Sequence, residues 1–258
     1  MIIDSHCHLD YEPMYSKLND VLKRASLAKV NKILTISVKD NQFDKILNIL
    51  KKFPNVFGTY GIHPHEAKNH KEINKETILS KVSMHEKIIG IGETGLDFFY
   101  NHSDKNDQIR LFEQHIEASV DRELPIIVHS RNAEDLTFEI LYKYSKKNKL
   151  KILMHCFTGT KKFAEKLIDI DAFFSASGII TFKNTNDLKE TFKLIPKDRL
   201  LIETDAPYLS PEPLRGKSNE PSNIVHTAKY LAVLKNVEYK DFCDFTTNNF
   251  FKLFGNLK

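Results

Sequence analysis

Short apolar runs rich in β-branched residues recur along the chain: Ile2-Ile3, Ile33 to Ile36, Val56 to Tyr60, Ile88 to Ile91, Ile126 to Val128, Ile152 to Met154, Ala172 to Phe174 and Leu200 to Ile202. Their starts lie roughly 20 to 40 residues apart, the room that one strand, one helix and two short loops require. Between them lie segments of helical period. From Lys105 to Glu123, Ile109, Phe112, Ile116 and Val120 recur at spacings of three and four, while Glu113, Gln114, Glu117 and Asp121 take other faces, as in an amphipathic helix. Pro221 suits the first turn of a helix whose apolar stripe is Ile224, Val225, Ala228, Leu231 and Ala232, and Asn132 is expected to cap the helix that follows His129. Strands apolar throughout and separated by helices predict a parallel sheet covered on its faces.

Eight such units favour a closed (β/α)8 barrel of the TIM type. The rival, an open doubly wound sheet, would carry a glycine-rich phosphate turn after its first strand. Here Ser5-His6-Cys7-His8 stands at that point, and the first glycine is Gly58. No Pro/Gly/Ser-rich linker and no sequence repeat divides the 258 residues, so one domain spanning 1–258 is expected.

Polar residues interrupt the apolar rhythm at one kind of position. His6 and His8 follow the first run, Glu93 the fourth, His129 the fifth, His155 the sixth and Asp205 the last. The C-terminal strand ends of a parallel barrel open on a single face, so these six residues are expected to converge. On a strand, His6 and His8 leave the same side and Cys7 the other, which excludes Cys7 as a ligand; Cys156 is likewise opposite His155, and Glu203 shares the side of Asp205. Burying several imidazoles and carboxylates without partners is costly. Four imidazoles and two carboxylates suffice for two divalent cations if one carboxylate bridges, and Glu93, on the fourth of eight strands, lies between the two groups of histidines. Imidazole suits Zn, Mn, Co or Ni and oxygen-only sites suit Mg, so Mg, Mn and Zn stay open. A cation lowers the pKa of bound water from about 15.7 to about 7, and Asp205 is placed to act as general base. Hydrolysis is the expected reaction class.

Composition narrows this further. With 41% hydrophobic and 28% charged residues and a net charge of +4, the chain reads as an ordinary globular protein. No run of 18 apolar residues offers a membrane span, and the N-terminus lacks the pattern of a signal peptide. Cys7, Cys156 and Cys243 are too few and too widely spaced for a disulfide framework, so a reducing, cytoplasmic setting is expected. The cluster Lys146, Lys147, Lys149 and Lys151 reads as a solvated face, and charge alone does not mark a DNA-binding protein.

The motifs DSHCHLD, GIHPH, IGETGLDFF, PIIVHSRNA, MHCFTG and ETDAPYLSPEPLRGKSNEP occur in this order. Together they resemble the TatD family of metal-dependent deoxyribonucleases, within the amidohydrolase superfamily, from residue 2 to the closing TTNNFFKLFG. The resemblance implies a TIM-type barrel, two divalent metal ions and hydrolysis of phosphodiester bonds in DNA, commonly as a 3′ to 5′ exonuclease. Its partner would be DNA, as single strands or 3′ ends, with no membrane and no obligatory protein partner. It also implies that His6, His8, Glu93 and Asp205 bind one metal and Glu93, His129 and His155 the second.

Substrate roles are expected nearby. His63 would meet a phosphate or leaving group, and Arg131 would pair with phosphate through its planar fork. Tyr208, Arg215 and Lys217 would stack a base and hold phosphates, and Glu203 would orient a ligand histidine. His65, His70, His85, His102, His115 and His226 are read as solvent or packing residues. Asn132, where relatives commonly carry Asp, and Ser218, at a position often charged, depart from the family pattern and bear on substrate contact. Two other functions stay open: hydrolysis of a carbonyl substrate such as an aminoacyl ester or cyclic amide, and a nucleic-acid-binding module with a structural metal site. Structural sites usually have four ligands, and six on one face argue against the module.

Overall fold

The computed structural model describes residues 1–100 and 102–255, so residues 101 and 256–258 of the expected 1–258 domain lie outside the described residues. Each apolar run forms a strand: β1 Ile2–Cys7, β2 Val30–Thr35, β3 Val56–Tyr60, β4 Ile88–Asp97, β5 Ile126–Arg131, β6 Ile152–Met154, β7 Phe173–Ala176 and β8 Leu200–Ile202. They form one sheet in the order β1 to β8, every neighbouring pair parallel. The connections carry helices α1 Leu18–Leu27, α2 Phe43–Lys52, α3 Lys75–Val82, α4 Lys105–Arg122, α5 Glu134–Ser145, α6 Lys161–Ile168, α7 Asn186–Leu194 and α8 Ile224–Leu234, with α9 Tyr239–Phe254 at the end. This is a nearly closed (β/α)8 barrel of the TIM type.

The barrel closes through polar contacts rather than a regular β1–β8 ladder. Cys7 pairs with Ala206 as a single parallel bridge. The His8 N–H donates to the Ala206 carbonyl at 2.8 Å and the Asp205 N–H to the His6 carbonyl at 2.9 Å. Below them, the Ser5 hydroxyl donates to the Ile202 carbonyl at 2.9 Å. Asp4 accepts from the Thr204 N–H at 2.9 Å and the Thr204 hydroxyl at 2.6 Å.

One residue from every strand builds the interior: Ile3, Leu34, Phe57, Ile89, Ile127, Leu153, Phe173 and Leu201 cluster with Phe250, Leu253 and Phe254 of α9. Burying such side chains contributes about 1.5–3 kcal/mol each. Strand periodicity of two then carries the same inward face from Ile127 to His129, from Leu153 to His155, and from Leu201 to Glu203 and Asp205. The apolar layer thus becomes the floor of a polar one.

Two local features differ from the sequence expectations. β4 does not stop near Ile91 but continues to Asp97, so Glu93 lies within the strand. Ile91 pairs with Ile126 and Thr94 with Val128, leaving one extra residue on β4, a bulge that re-aims Glu93. The bulge relies on glycine: Gly92 and Gly95 have φ of +131° and +135°, and a Cβ on Gly95 would lie 2.0 Å from the His129 carbonyl oxygen. Asn132 is not the cap of α5. It takes a left-handed φ of 51°, which asparagine tolerates better than most residues, and Ala133 occupies the cap without a side-chain hydrogen bond.

Helix α4 matches its amphipathic pattern, with Asp104 capping through the Asn106 N–H and Glu123 left-handed at its end. From it, His115 reaches under the loop after β3. Its Nδ1–H donates to the Leu111 carbonyl at 2.7 Å and its Nε2 accepts from the Ile62 N–H at 3.2 Å. Burial pushes the imidazole down to about 4, opposing the Leu111 hydrogen bond. The unfolded chain, with histidine near 6.5, therefore binds a proton that the folded state refuses. Stability from this site should be complete above pH 6.5 and fall by about 3 kcal/mol as pH drops from 7 to 4. Urea titrations across that range should show His115→Gln losing less stability than wild type by this amount; parallel profiles would remove His115 as the cause.

Candidate metal centre

All six predicted ligands meet at the C-terminal mouth of the barrel, around Glu93. Its carboxylate is 3% exposed and its two oxygens face different partners. Oε2 lies 3.3 Å from His6 Nε2. Oε1 lies 2.8 Å from His155 Nε2 and 3.1 Å from His129 Nδ1. Asp205 completes the first group, with Oδ1 3.4 Å from His8 Nε2 and 3.6 Å from His6 Nε2. Glu93 therefore stands between both sets of histidines.

The donor set fits cations. His6 Nδ1 and Nε2, His8 Nδ1 and His155 Nδ1 are buried without a hydrogen-bond partner, and buried nitrogens in that condition are costly unless something else satisfies them. His6, His8 and Glu93 hold three ligating atoms within 4.8 Å of one another, as do His6, His155 and Glu203. Burial would raise the Glu93 carboxyl, but His155 and His63, with hydrogen bonds from His129 and His155, hold it well below the usual carboxylate range. Burial would likewise raise Asp205, and His8 and His6 keep it low. Both carboxylates stay ionised.

A second layer orients the ligands. Asp97 Oδ2 accepts from His129 Nε2 at 3.0 Å, which keeps a proton on Nε2 and makes Nδ1, the nitrogen that faces Glu93, the one that could give its lone pair to a cation. The same oxygen lies 2.9 Å from His65 Nε2. Asp97 Oδ1 accepts from the N–H groups of Phe99 and Tyr100 at 3.0 and 3.1 Å. Gln108 of α4 clamps the Asp97 backbone, accepting its N–H at 2.8 Å and donating to its carbonyl at 3.1 Å. Behind His155, Glu203 Oε1 stands 3.5 Å from Nδ1, and the Ser175 hydroxyl holds the other oxygen.

Asp97 went unrecognised in the sequence, and His65 is a partner of Asp97 rather than a solvent or packing residue. The parity that marks His6 and His8 also pairs His63 with His65, and Asp97 follows Glu93 by an even step; these were the available signals. His63 caps a 3₁₀ turn, its Nδ1 accepting from the His65 N–H. That leaves the proton on Nε2, 3.3 Å from Glu93 Oε1, so His63 presents a donor to the site rather than a lone pair.

The remaining predicted residues lie at the rim. Tyr208 is 52% exposed, with ring centres 6.3 Å from His8 and 6.4 Å from Tyr11. Arg215 lies over Phe182 at 4.3 Å, and Lys217 is exposed in the same loop. Arg131 is exposed and packs on Phe99 and Tyr100. Cys7 turns away, its Sγ 3.8 Å from the Leu34 carbonyl, and Cys156 faces Ser177. A cavity of about 660 Å³ at the opposite, N-terminal end is lined by Lys146, Lys149 and Lys151 but by none of the predicted site residues. Among the described residues, no helix is long and apolar enough to cross a membrane.

The model of a family described as TatD related DNase matches residues 3–255. The chain belongs to the TatD family. Relatives of this TatD chain include an "uncharacterized metal-dependent hydrolase" of Buchnera aphidicola from Acyrthosiphon pisum, 41% identical over 98% of this chain and 99% of that protein. YcfH of Escherichia coli K12, with the same description, is 36% identical over 98% of this chain and 95% of that protein. The crystal structure of YJJV, a TatD homologue of Escherichia coli K12, aligns with a TM-score of 0.93 at 25% identity, covering 99% of this TatD chain and 98% of that one.

If Asp97 sets the tautomer of His129, Asp97→Asn should weaken divalent-cation binding about 10- to 100-fold. Calorimetric titration of the metal-free protein with Zn or Mn measures this directly. Unchanged affinity would reduce the Asp97–His129 contact to a packing role.

Proposed function

We propose that this TatD-family metal-dependent hydrolase cleaves phosphodiester bonds in DNA, removing nucleotides from 3′ ends of single strands. The observation that carries this reading is the division of Glu93, one oxygen toward His6 and the other toward His129 and His155. A site for a cation pair suits a phosphodiester, in which attacking and leaving oxygens both carry negative charge. An uncharged ester or amide needs such neutralisation less.

His6, His8, Glu93 and Asp205 would hold one cation, and Glu93, His129 and His155 the other. When bound, divalent cations acidify water and neutralise phosphate charge. The chain's own groups do the rest. Asp205, ionised and fixed by its N–H on the His6 carbonyl, accepts the proton of the attacking water as general base. His63 offers its Nε2–H to a phosphate or leaving oxygen. Arg215 and Lys217 supply positive charge at the rim, and Tyr208 supplies a ring face for a base. The free cysteines Cys7, Cys156 and Cys243 suit a cytoplasmic enzyme.

The protein reloaded with Mg, Mn or Zn should release mononucleotides from 5′-labelled single-stranded DNA and leave a panel of aminoacyl esters and cyclic amides nearly untouched. Asp205→Asn should lower kcat about 10²- to 10⁴-fold, and Glu93→Gln should abolish turnover while weakening cation binding. DNA turnover that persists unchanged in both variants would sink the assignment, and efficient turnover of the ester panel alone would transfer it to carbonyl chemistry.

A further inference from the structure

Arg131 was expected to reach phosphate, yet its guanidinium lies 4.2 Å from the Phe99 ring centre and 4.8 Å from that of Tyr100. Phe99 is 52% exposed and Tyr100 40% exposed. Tyr100 stacks on His102 at 5.5 Å with 19° between planes, and meets His65 edge-on at 5.4 Å. Aromatic faces left to solvent beside a polar site are candidates for ligand contact.

This surface is not a loose loop. Asp97 binds the Phe99 and Tyr100 N–H groups with Oδ1 and His129 with Oδ2. The Phe98 N–H donates to the Arg131 carbonyl at 2.9 Å, continuing the β4–β5 pairing in which Asp97 lies opposite Arg131. One carboxylate therefore sets the aromatic turn in register with a residue of the metal centre. Across the mouth, after β8, Tyr208 provides a second exposed ring, half the barrel away from β4.

Resting on the reading of the substrate as DNA, we propose that Phe99, Tyr100 and Arg131 form a platform on which an unpaired base of the substrate strand stacks beside the bond to be cleaved. Phe99 and Tyr100 meet edge-on at 86°, so a base stacks on one ring and borders the other, and Arg131 adds a planar cation beside both, a flat surface that the lysine ammonium lacks. Because every base has a π face, the platform tolerates any sequence but discriminates against a strand lacking a base. In a duplex the base faces are already covered, so an end must fray before it can enter.

The test uses protein carrying Asp205→Asn, so that the ligand survives, and two single-stranded oligonucleotides with 2-aminopurine or an abasic residue at the 3′ end. Binding should quench the 2-aminopurine fluorescence. Adding Phe99→Ala or Tyr100→Ala should weaken the 2-aminopurine strand about tenfold and the abasic strand by under about twofold. Arg131→Lys, which keeps the charge on an exposed residue, should lose part of the quenching. Equal weakening of both strands, or none, overturns the platform, with thermal melting used to verify that each variant is folded. Strand cleavage by the wild-type protein is scored separately. Base-selective weakening without any cleavage supports the platform while refuting the nuclease reading, and cleavage with base-independent affinity does the reverse.

Discussion

A carboxylate buried at the centre of a barrel stays ionised only if positive or hydrogen-donating groups surround it. Glu93 satisfies this by taking imidazoles from four directions: His6 on β1, His63 after β3, His129 on β5 and His155 after β6. No local stretch of chain can supply that ring. Only a sheet that curves until its first and sixth strands reach the same point can do so, which makes barrel closure a condition for the site. The reverse also holds, because the seam is closed by the backbones of His6, His8, Asp205 and Ala206 themselves.

The layer behind the ligands converts convergence into defined chemistry. A histidine offers a lone pair at one nitrogen only when the other carries the proton. Asp97 sets this for His129, Glu203 stands ready to do so for His155, and the His65 N–H sets the opposite state for His63. Asp4 plays a structural part in the same layer. Burial pushes its carboxyl up to about 8, against hydrogen bonds from Thr204 and His6, so it ties β1 to the segment after β8 without adding another full negative charge near neutral pH.

How much of this was legible in the sequence depended on whether a feature had a period. The strands were readable because apolar runs repeat, and the six central residues because they break those runs. Asp97 carried no signal beyond its even step from Glu93. Gly92-Glu93-Thr94-Gly95 ends the apolar run of β4, and nothing local indicates that pairing with β5 extends the strand through a bulge to Asp97. His65 was missed for the same reason, since its role exists only once Asp97 is in place. Asn132 failed as a cap because the turn after β5 needs a left-handed residue there, and that demand displaced the capping one by a position.

The placement of groups also separates two tasks. The central ligands stand on strands or within a few residues of their ends, where ladder hydrogen bonds and a packed apolar floor hold the backbone. The exposed groups, Phe99, Tyr100, Tyr208, Arg215 and Lys217, stand on loops after β4 and β8. Rigid elements suit chemistry that tolerates errors of only about 0.5 Å, and loops suit recognition, which can vary without disturbing it. Asp97 is where the two tasks meet, because one oxygen serves a ligand histidine and the other the aromatic turn. A change of substrate within this architecture can therefore proceed through the β8 loop with the metal centre intact, whereas the β4 turn is tied to that centre and is free to vary only in its side chains.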